Sequence, residues 1–482
     1  MSTVFSKSVP GREGVWPERP KTEPVDFIPQ ELLRGTAPNL PSLSELDVVR
    51  HFTTLSAKNY SVDGNFYPLG SCTMKYNPKF TEEVAALPGF SRLHPLTPQL
   101  PGGGDMTAGA LEVLYKMERL LCEVTGMAAF TLHPMAGAHG ELTGALIIAA
   151  YHADKGNKKT KIICPDSAHG TNPASATIAG FEVVTIESKD GIIDPAALAA
   201  VLDDQTAGVM MTMPNTLGLF ERHLPEIVDM CHKVDALLYY DGANLNAIMG
   251  KLRVGDVGFD VMHLNLHKTF ATPHGGGGPG AGPVGVSERL IPYLPISRVA
   301  RDEAGRYFLS YDHPKSIGYV APFYGNFGVV LRAYAYILRL GREGLIRASE
   351  SAVLAANYLR KRLADAIEVP YNRMCMHEFV ASAEKLAADH GVHALDIAKA
   401  LLDRGYHAPT IYFPLIVKEA IMIEPTETES KQTLDAFVAD LLDILALAAT
   451  NPEAVRACPT TLPVGRLDET QAARAMEITD DL

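Results

Sequence analysis

The stretch AGVMMTMPNTLGLFERHLPEIVDMCHKVDALLYYD, residues 207 to 241, decides the fold. Its two ends, AGVMMTMP and ALLYYD, are short apolar runs of strand type. Between them LPEIVDMCHKVD spaces its apolar residues as a helix does. Two strands joined by a helix of this length form a unit whose strands run parallel. Outward in both directions the pattern repeats: KIICPD (161–166), FEVVTIE (181–187) and FDVMHLNL (259–266) are strand-like, and DPAALAAVLDD (194–204) is helical. From about 106 to 290 the alternation predicts an α/β fold, a mostly parallel sheet with helices on both faces.

The flanks differ. Residues 1–105 are rich in proline and turn signals, with one helix expected near 42 to 57, and read as an extended N-terminal arm. Its apolar residues Val15, Trp16, Phe27, Ile28, Leu32 and Leu33 require another surface. The large domain is expected over 106–330. Residues 331–482 read as a smaller C-terminal α+β domain: Leu434, Phe437, Val438, Leu441, Leu442 and Leu445 follow helical spacing, and EAIMIEP (419–425) is a strand.

Bulk properties narrow the function. The chain of 482 residues carries a net charge of −13, which does not suit phosphate-backbone binding, so a nucleic-acid role is excluded. Apolar runs such as GALIIAA fall short of the ~20 residues of a membrane span. The start MSTVFSKSVPGREG has no apolar signal core, and six cysteines are scattered without a C-x-x-C pair. Cytoplasmic location and no metal site are the expectations.

Chemistry collects after the strands, in HPMAGAHGE (133–141), PDSAHGTNPAS (165–175), MPNT (213–216), YDGAN (240–244) and LHKT (266–269). In a doubly wound sheet the carboxyl ends of the strands converge on one crevice. Ala136, Gly137 and Ala138 open a helix, where free N–H groups hold anions. Asp241 ends an apolar strand and needs a cationic partner. Lys268 ends the next one. His263 and His267 lie four apart, but in strand-like context and without H-E-x-x-H, so zinc is not supported. A phosphate cradle, a planar His169, a buried carboxylate and an amine able to form a Schiff base are the parts that pyridoxal 5'-phosphate requires.

FYPLGSCTMKYNPK, HPMAGAHGE, DSAHGTNPASA, LNLHKTFATPHGGGGPGAGPVGV and HAPTIYFPL with IMIEPTETES, in this order, resemble the glycine dehydrogenase (decarboxylating) family, the P-protein of the glycine cleavage system. The resemblance is to the second subunit of the two-subunit bacterial form, matching the C-terminal half of the longer single-chain form. It implies fold type I of the pyridoxal-phosphate enzymes, decarboxylation of glycine, and transfer of the aminomethyl group to the lipoyl arm of the H-protein. A homologous subunit 1 in an α2β2 heterotetramer is implied too. By the same resemblance Lys268 carries the cofactor, Asp241 holds the pyridine nitrogen, and His169 stacks on the ring. Ala136, Gly137 and Ala138 meet the phosphate, Asn244 reaches the ring hydroxyl, His267 reaches the phosphate or moves protons, and Asn215 and Thr216 are further candidates. The competing readings are a pyridoxal-phosphate lyase of another amino acid, such as a cysteine desulfurase, and a silent structural subunit. Lys268 and Asp241 together speak against the second. Cys72, in a loop bounded by proline and glycine, reads as a buried, inert thiol ahead of an oxidisable one bordering the substrate channel.

Overall fold

The computed structural model describes residues 3–15, 28–36, 38–275 and 279–476. Trp16, Phe27 and the glycines 276–278 lie outside the described residues. The chain divides into two compact units, Met1–Ser61 with Pro459–Leu482, and Val62–Cys458.

The first unit holds the helix expected near 42 to 57. It is α1 (Glu45–Ser56), started by a capping box in which Ser44 and Asp47 exchange hydrogen bonds. Arg12 adds an ion pair to Asp47 at 3.0 Å. Val15, Ile28, Leu32 and Leu33 are exposed.

The second unit opens with a segment that ends in Lys75, discussed below, and continues as α2 (Ala108–Thr125), β1 (Ala129–Thr131), α3 (Gly137–Asp154), β2 (Lys161–Pro165), α4 (Asn172–Ile178), β3 (Glu182–Ile186) and β4 (Thr206–Thr212). Then follow α5 (Leu224–Lys233), β5 (Leu237–Gly242), β6 (Val261–Leu264), the single turn α6 (Leu266–Thr269) and β7 (Val284–Val286). These seven strands make one sheet in the order β1-β7-β6-β5-β4-β2-β3. Strands β3, β2, β4, β5 and β6 run parallel, and β7 pairs antiparallel with both β6 and β1. The sheet is therefore mostly parallel, as the alternation predicts.

Side chains divide by the period of two. Leu238 and Tyr240 of β5 join one core with Val209 and Met211 of β4, whereas Leu237 and Tyr239 join the opposite core with Ala207 and Met210. Both faces are dry because helices cover both, and a strand buried twice needs an apolar residue at every position. That is why ALLYY shows no alternation.

One expectation shifts. FDVMHLNLHK does not run as a strand to Lys268: β6 stops at Leu264, and Leu266 instead donates its N–H to the Ala281 carbonyl as the chain turns into α6. Alternating Leu264 and Leu266 satisfy a strand pattern and a turn equally.

Beyond β7, α7 (Phe327–Leu363) is two helices broken at Gly341, whose φ of 59° a helix interior cannot use. The strands β8 (Phe379–Ser382), β9 (Thr410–Ile411) and β10 (Ala420–Ile423) form an antiparallel sheet in the order β8-β10-β9, packed on α8 (Lys431–Thr450). Leu434, Phe437, Val438, Leu441 and Leu445 of α8 are buried, with Leu442 at the margin. Among the described residues no helix is long and apolar enough to cross a membrane.

Candidate functional site

Register builds the floor of the crevice. Thr212 of β4 lies beside Asp241 of β5, which lies beside His263 of β6. Three neighbouring strands thus put a hydroxyl, a carboxylate and an imidazole in one row at their carboxyl ends. Asp241 is 1% exposed, and its Oδ2 accepts from Thr212 Oγ1 at 2.9 Å and Asn172 Nδ2 at 3.0 Å. Its Oδ1 accepts the Ala243 amide at 3.1 Å and faces His263 Nε2 at 3.4 Å. Burial pushes this carboxyl up, but His263, His169, the Ala243 amide and the Thr212 hydroxyl outweigh it, and the net shift is downward. Asp241 stays an anion.

Behind it stands Glu141 on α3. Burial and then the charge of Asp241 push this carboxyl up to about 7. Thr171 donates to it, and His169 Nδ1 and His263 Nε2 each lie 3.9 Å from its Oε1. Burial holds His263 down at about 4, so its ring is neutral; Tyr239 Oη bonds its Nδ1 at 2.7 Å, leaving Nε2 for the carboxylates. A carboxyl raised from 4.5 to about 7 on folding adds stability that is complete below pH 4.5 and is lost as pH rises through 7. Glu141→Gln, which mimics the protonated form, should therefore melt like the parent near pH 5. It should gain up to about 3 kcal/mol by pH 8, read from melting curves across that range. A gain independent of pH would contradict the shift.

Lys268 sits on α6, 9% exposed, and its Nζ donates to the Ser71 carbonyl at 2.8 Å. The same cleft, about 320 Å³, is lined by Asp241, His169, Asn244 and Thr216. The His169 N–H donates to Thr212 Oγ1 at 2.9 Å and its ring Nδ1 contacts Thr171 Oγ1 at 3.0 Å. Asn244 Nδ2 donates to Glu424 at 2.9 Å and also to Thr73. Thr216 spends its hydroxyl on the Ser167 carbonyl at 2.9 Å.

Ala136, Gly137 and Ala138 form the start of α3, with Ala136 as its N-cap. A side chain at Gly137 would come within 2.7 Å of Asn265 Nδ2, so the helix start and the β6 end can approach this closely only through glycine. His267 lies off the cleft lining: its Nδ1 accepts the Ala281 amide at 3.3 Å, its ring packs on His274, and burial, with the His274 and Lys268 charges, holds it at about 3. Asn215 departs from the expectation. It stands outside the cleft, its Oδ1 taking the Leu217 and Leu219 amides and its Nδ2 donating to the Gly191 carbonyl, because an asparagine in a turn satisfies the local backbone first.

The spacing of strand-end residues does not reveal the other wall. Ser71 to Lys75 form a strap across the cleft, with Ser71 and Thr73 at φ of 65° and 52°. The Ser71 amide donates to Glu378 Oε2 at 2.6 Å, and the Thr73 amide and hydroxyl donate to Glu424 at 2.9 and 2.6 Å. Lys75, 2% exposed, reaches Asn246 Oδ1 at 3.0 Å, Glu427 Oε1 at 2.7 Å and the Thr269 carbonyl. Gly70 lets the strap lie on β10, where a Cβ would meet Met422 Cγ at 2.3 Å. The motifs FYPLGSCTMKYNPK and IMIEPTETES contain these residues, but nothing local in them distinguishes Lys75 or Glu424 from solvated charges. Cys72 rides on the strap, half-buried, and burial pushes its thiol up to about 11, which leaves little thiolate for oxidation.

With the geometry in place, comparison with known proteins is informative. The family profile described as "Glycine dehydrogenase, C-terminal domain" matches residues 348–455, and "Aminotransferase class-V" matches 140–277. A "Probable glycine dehydrogenase (decarboxylating) subunit 2" of Kosmotoga olearia is 58% identical over 481 residues, covering 99% of this chain and 98% of the relative. Its counterpart in Listeria monocytogenes serotype 4b is 53% identical, covering 98% and 97%. Among solved structures, an inhibitor-bound glycine decarboxylase (P-protein) of the glycine cleavage system superposes with a TM-score of 0.71 at 20% identity, covering 86% of this chain and 93% of that one. At that identity the likeness shows the fold.

Proposed function

The chain belongs to the family of glycine dehydrogenase (decarboxylating) subunit 2, and on that premise we propose that Lys268 and Asp241 are the two residues around which its pyridoxal phosphate works. The observation that carries this is a buried amine and a buried carboxylate in one cleft, the carboxylate at the end of β5 and the amine on the single turn α6 that follows the neighbouring strand β6. The residues fit the cofactor on further counts. No side chain caps the start of α3 at Ala136, so its first N–H groups are left for an anion. His263 Nε2, which makes no hydrogen bond, faces Asp241 Oδ1 at 3.4 Å and backs that carboxylate from the protein side.

When bound, pyridoxal phosphate offers a carbon that amines attack and a ring that accepts the electron pair left by a departing carboxylate. The chain's own residues set the conditions. The Lys268 amine is the group that would hold the cofactor covalently. Asp241, kept anionic by its four neighbours, holds a proton on the ring nitrogen. With His263 held neutral and the Glu141 carboxyl pushed up to about 7, Asp241 is the principal negative charge of this row. His169 would cover a ring face, the Ala136–Ala138 amides would receive the phosphate with the help of the helix dipole, and Asn244 would reach the ring hydroxyl. Thr216 lines the same cleft, and His267 stands off its lining against His274.

The reaction proposed for this site releases carbon dioxide from glycine and passes the aminomethyl group to the lipoyl arm of an H-protein, in the cytoplasm. The domain limits 1–105, 106–330 and 331–482 remain part of this reading. A homologous subunit 1 completes an α2β2 assembly, and the exposed Val15, Ile28, Leu32 and Leu33 suit a buried place against it. Carbon dioxide from carboxyl-labelled glycine, measured with lipoyl carrier, should be near zero for this chain alone and appear on adding subunit 1. Full activity without subunit 1 would refute the obligate complex; labelled product from cysteine but not glycine would refute the substrate.

A further inference from the structure

The cleft has a second set of polar groups that the reading above leaves without a task. His377 and Glu378 precede β8, and both line the cleft that Asp241 and Lys268 line. Both are 2% exposed. Their segment is held firmly: Asn357 exchanges hydrogen bonds with the Cys375 amide and carbonyl at 3.1 and 2.6 Å, and the Met376 amide donates to the Gly218 carbonyl at 2.7 Å. Gly218, at a φ of 73°, allows the approach, since a Cβ there would fall 1.9 Å from the Glu378 carbonyl oxygen.

We propose that His377 and Glu378 form the subsite that receives the carboxylate of the amino-acid substrate. This deepens the assignment of the cleft to pyridoxal phosphate and rests on it.

Three observations converge. His377 Nδ1 is buried without a hydrogen-bond partner, a cost that a bound acceptor removes. The two neighbouring carboxyls divide their roles by geometry. Glu424 accepts from the Thr73 amide, the Thr73 hydroxyl and Asn244, so its oxygens are occupied, whereas Glu378 accepts on Oε2 from Ser71 and keeps Oε1 for a proton, 3.7 Å from His377 Nε2. Burial, followed by the charge of Glu424, raises the Glu378 carboxyl well above its ordinary range, and burial lowers His377. Both are then uncharged donors. Finally, no arginine is among the described residues lining the cleft.

A neutral donor pair beside the Glu424 carboxylate has a chemical consequence. It orients the substrate's carboxylate by hydrogen bonds but gives its negative charge no cation. An arginine would stabilise that charge most in the bound substrate and less as carbon dioxide leaves, which deepens the ground state rather than lowering the barrier. Neutral donors let go more readily as the electron pair moves away. The site thereby selects a carboxylate and does not hold it back.

The test separates carboxylate binding from amine binding. The holoenzyme is titrated with glycine and with methylamine, which has no carboxylate, following the visible absorbance of the bound cofactor. In the unmutated chain glycine should reach its midpoint at a concentration about tenfold below methylamine, a hydrogen-bond-sized preference. Glu378→Leu and His377→Leu should each abolish most of that preference while leaving methylamine within about twofold. Glu378→Gln, which keeps a donor in the same volume and preserves the fold most closely, should retain it. Equal weakening of both amines in the leucine variants, loss of preference in Glu378→Gln, or no preference in the unmutated chain overturns the subsite. A holoenzyme whose spectrum responds to neither amine overturns the cofactor reading instead.

Discussion

Lys268→Ala should release no carbon dioxide from carboxyl-labelled glycine and show no covalent cofactor band, while the apoprotein melts within about 1–2 kcal/mol of the parent. The chemical loss is complete because among the described residues lining the cleft no other primary amine is present, and an amine is the group that bonds the cofactor. The structural loss is small for a reason visible at the site. Lys268 Nζ makes its hydrogen bond to one carbonyl, that of Ser71, and no carboxylate stands within ion-pair distance among the described residues. Truncation removes a buried amine whose own desolvation opposed folding, and leaves one carbonyl to be rehydrated through the cleft. Absorbance spectra and melting curves read the two effects separately. A persisting covalent band in the alanine variant would remove Lys268 from the mechanism.

Lys75→Met should destabilise the chain by about 3–5 kcal/mol, the range for breaking one half of a buried ion pair. Lys75 is fully enclosed, and Glu427 is nearly so, with Asn246 bridging the two. Methionine matches the volume but leaves the Glu427 carboxylate with an amide for company. Burial pulls the ammonium down, yet Glu427 and Tyr336 outweigh it and its net shift is upward, so the lost partner was charged. Adding Glu427→Gln to Lys75→Met should recover a good part of the loss, since no uncompensated charge then remains. Denaturant midpoints decide: a single variant as stable as the parent would mean that water already reaches the pair.

How much of this was legible beforehand follows from where the signals lie. Asp241, His169 and Lys268 could be found because each interrupts a run whose periodicity says strand or strand end, and the sheet brings such ends together whatever the details. The row formed by Thr212, Asp241 and His263 follows from register, which no local pattern of a doubly buried strand specifies. Asn215 stands apart from the cleft lining with its side chain on local backbone, a placement its sequence does not reveal because asparagine serves turns and ligands alike. Lys75, His377, Glu378 and Glu424 were out of reach for a different reason. They become a site only through pairings between distant parts of the chain, and a lysine in a turn-rich loop reads as solvated until its glutamate is placed beside it.

Those pairings also bear on how the protein comes into being. Thr73 meets Glu424 across 351 residues, and Lys75 meets Glu427 across 352. On the ribosome the strap emerges early and must wait for its partners, roughly 20 to 70 s at ordinary rates of synthesis. Until then Lys75 faces water, the cleft lacks a wall, and Lys268 has nothing to lie against. Contacts of such high separation form late and slowly. A nascent chain interrupted before Glu424 would thus carry every strand of both sheets but an untethered strap, and synthesis of the short segment from Glu424 to Glu427 closes the cleft's second wall.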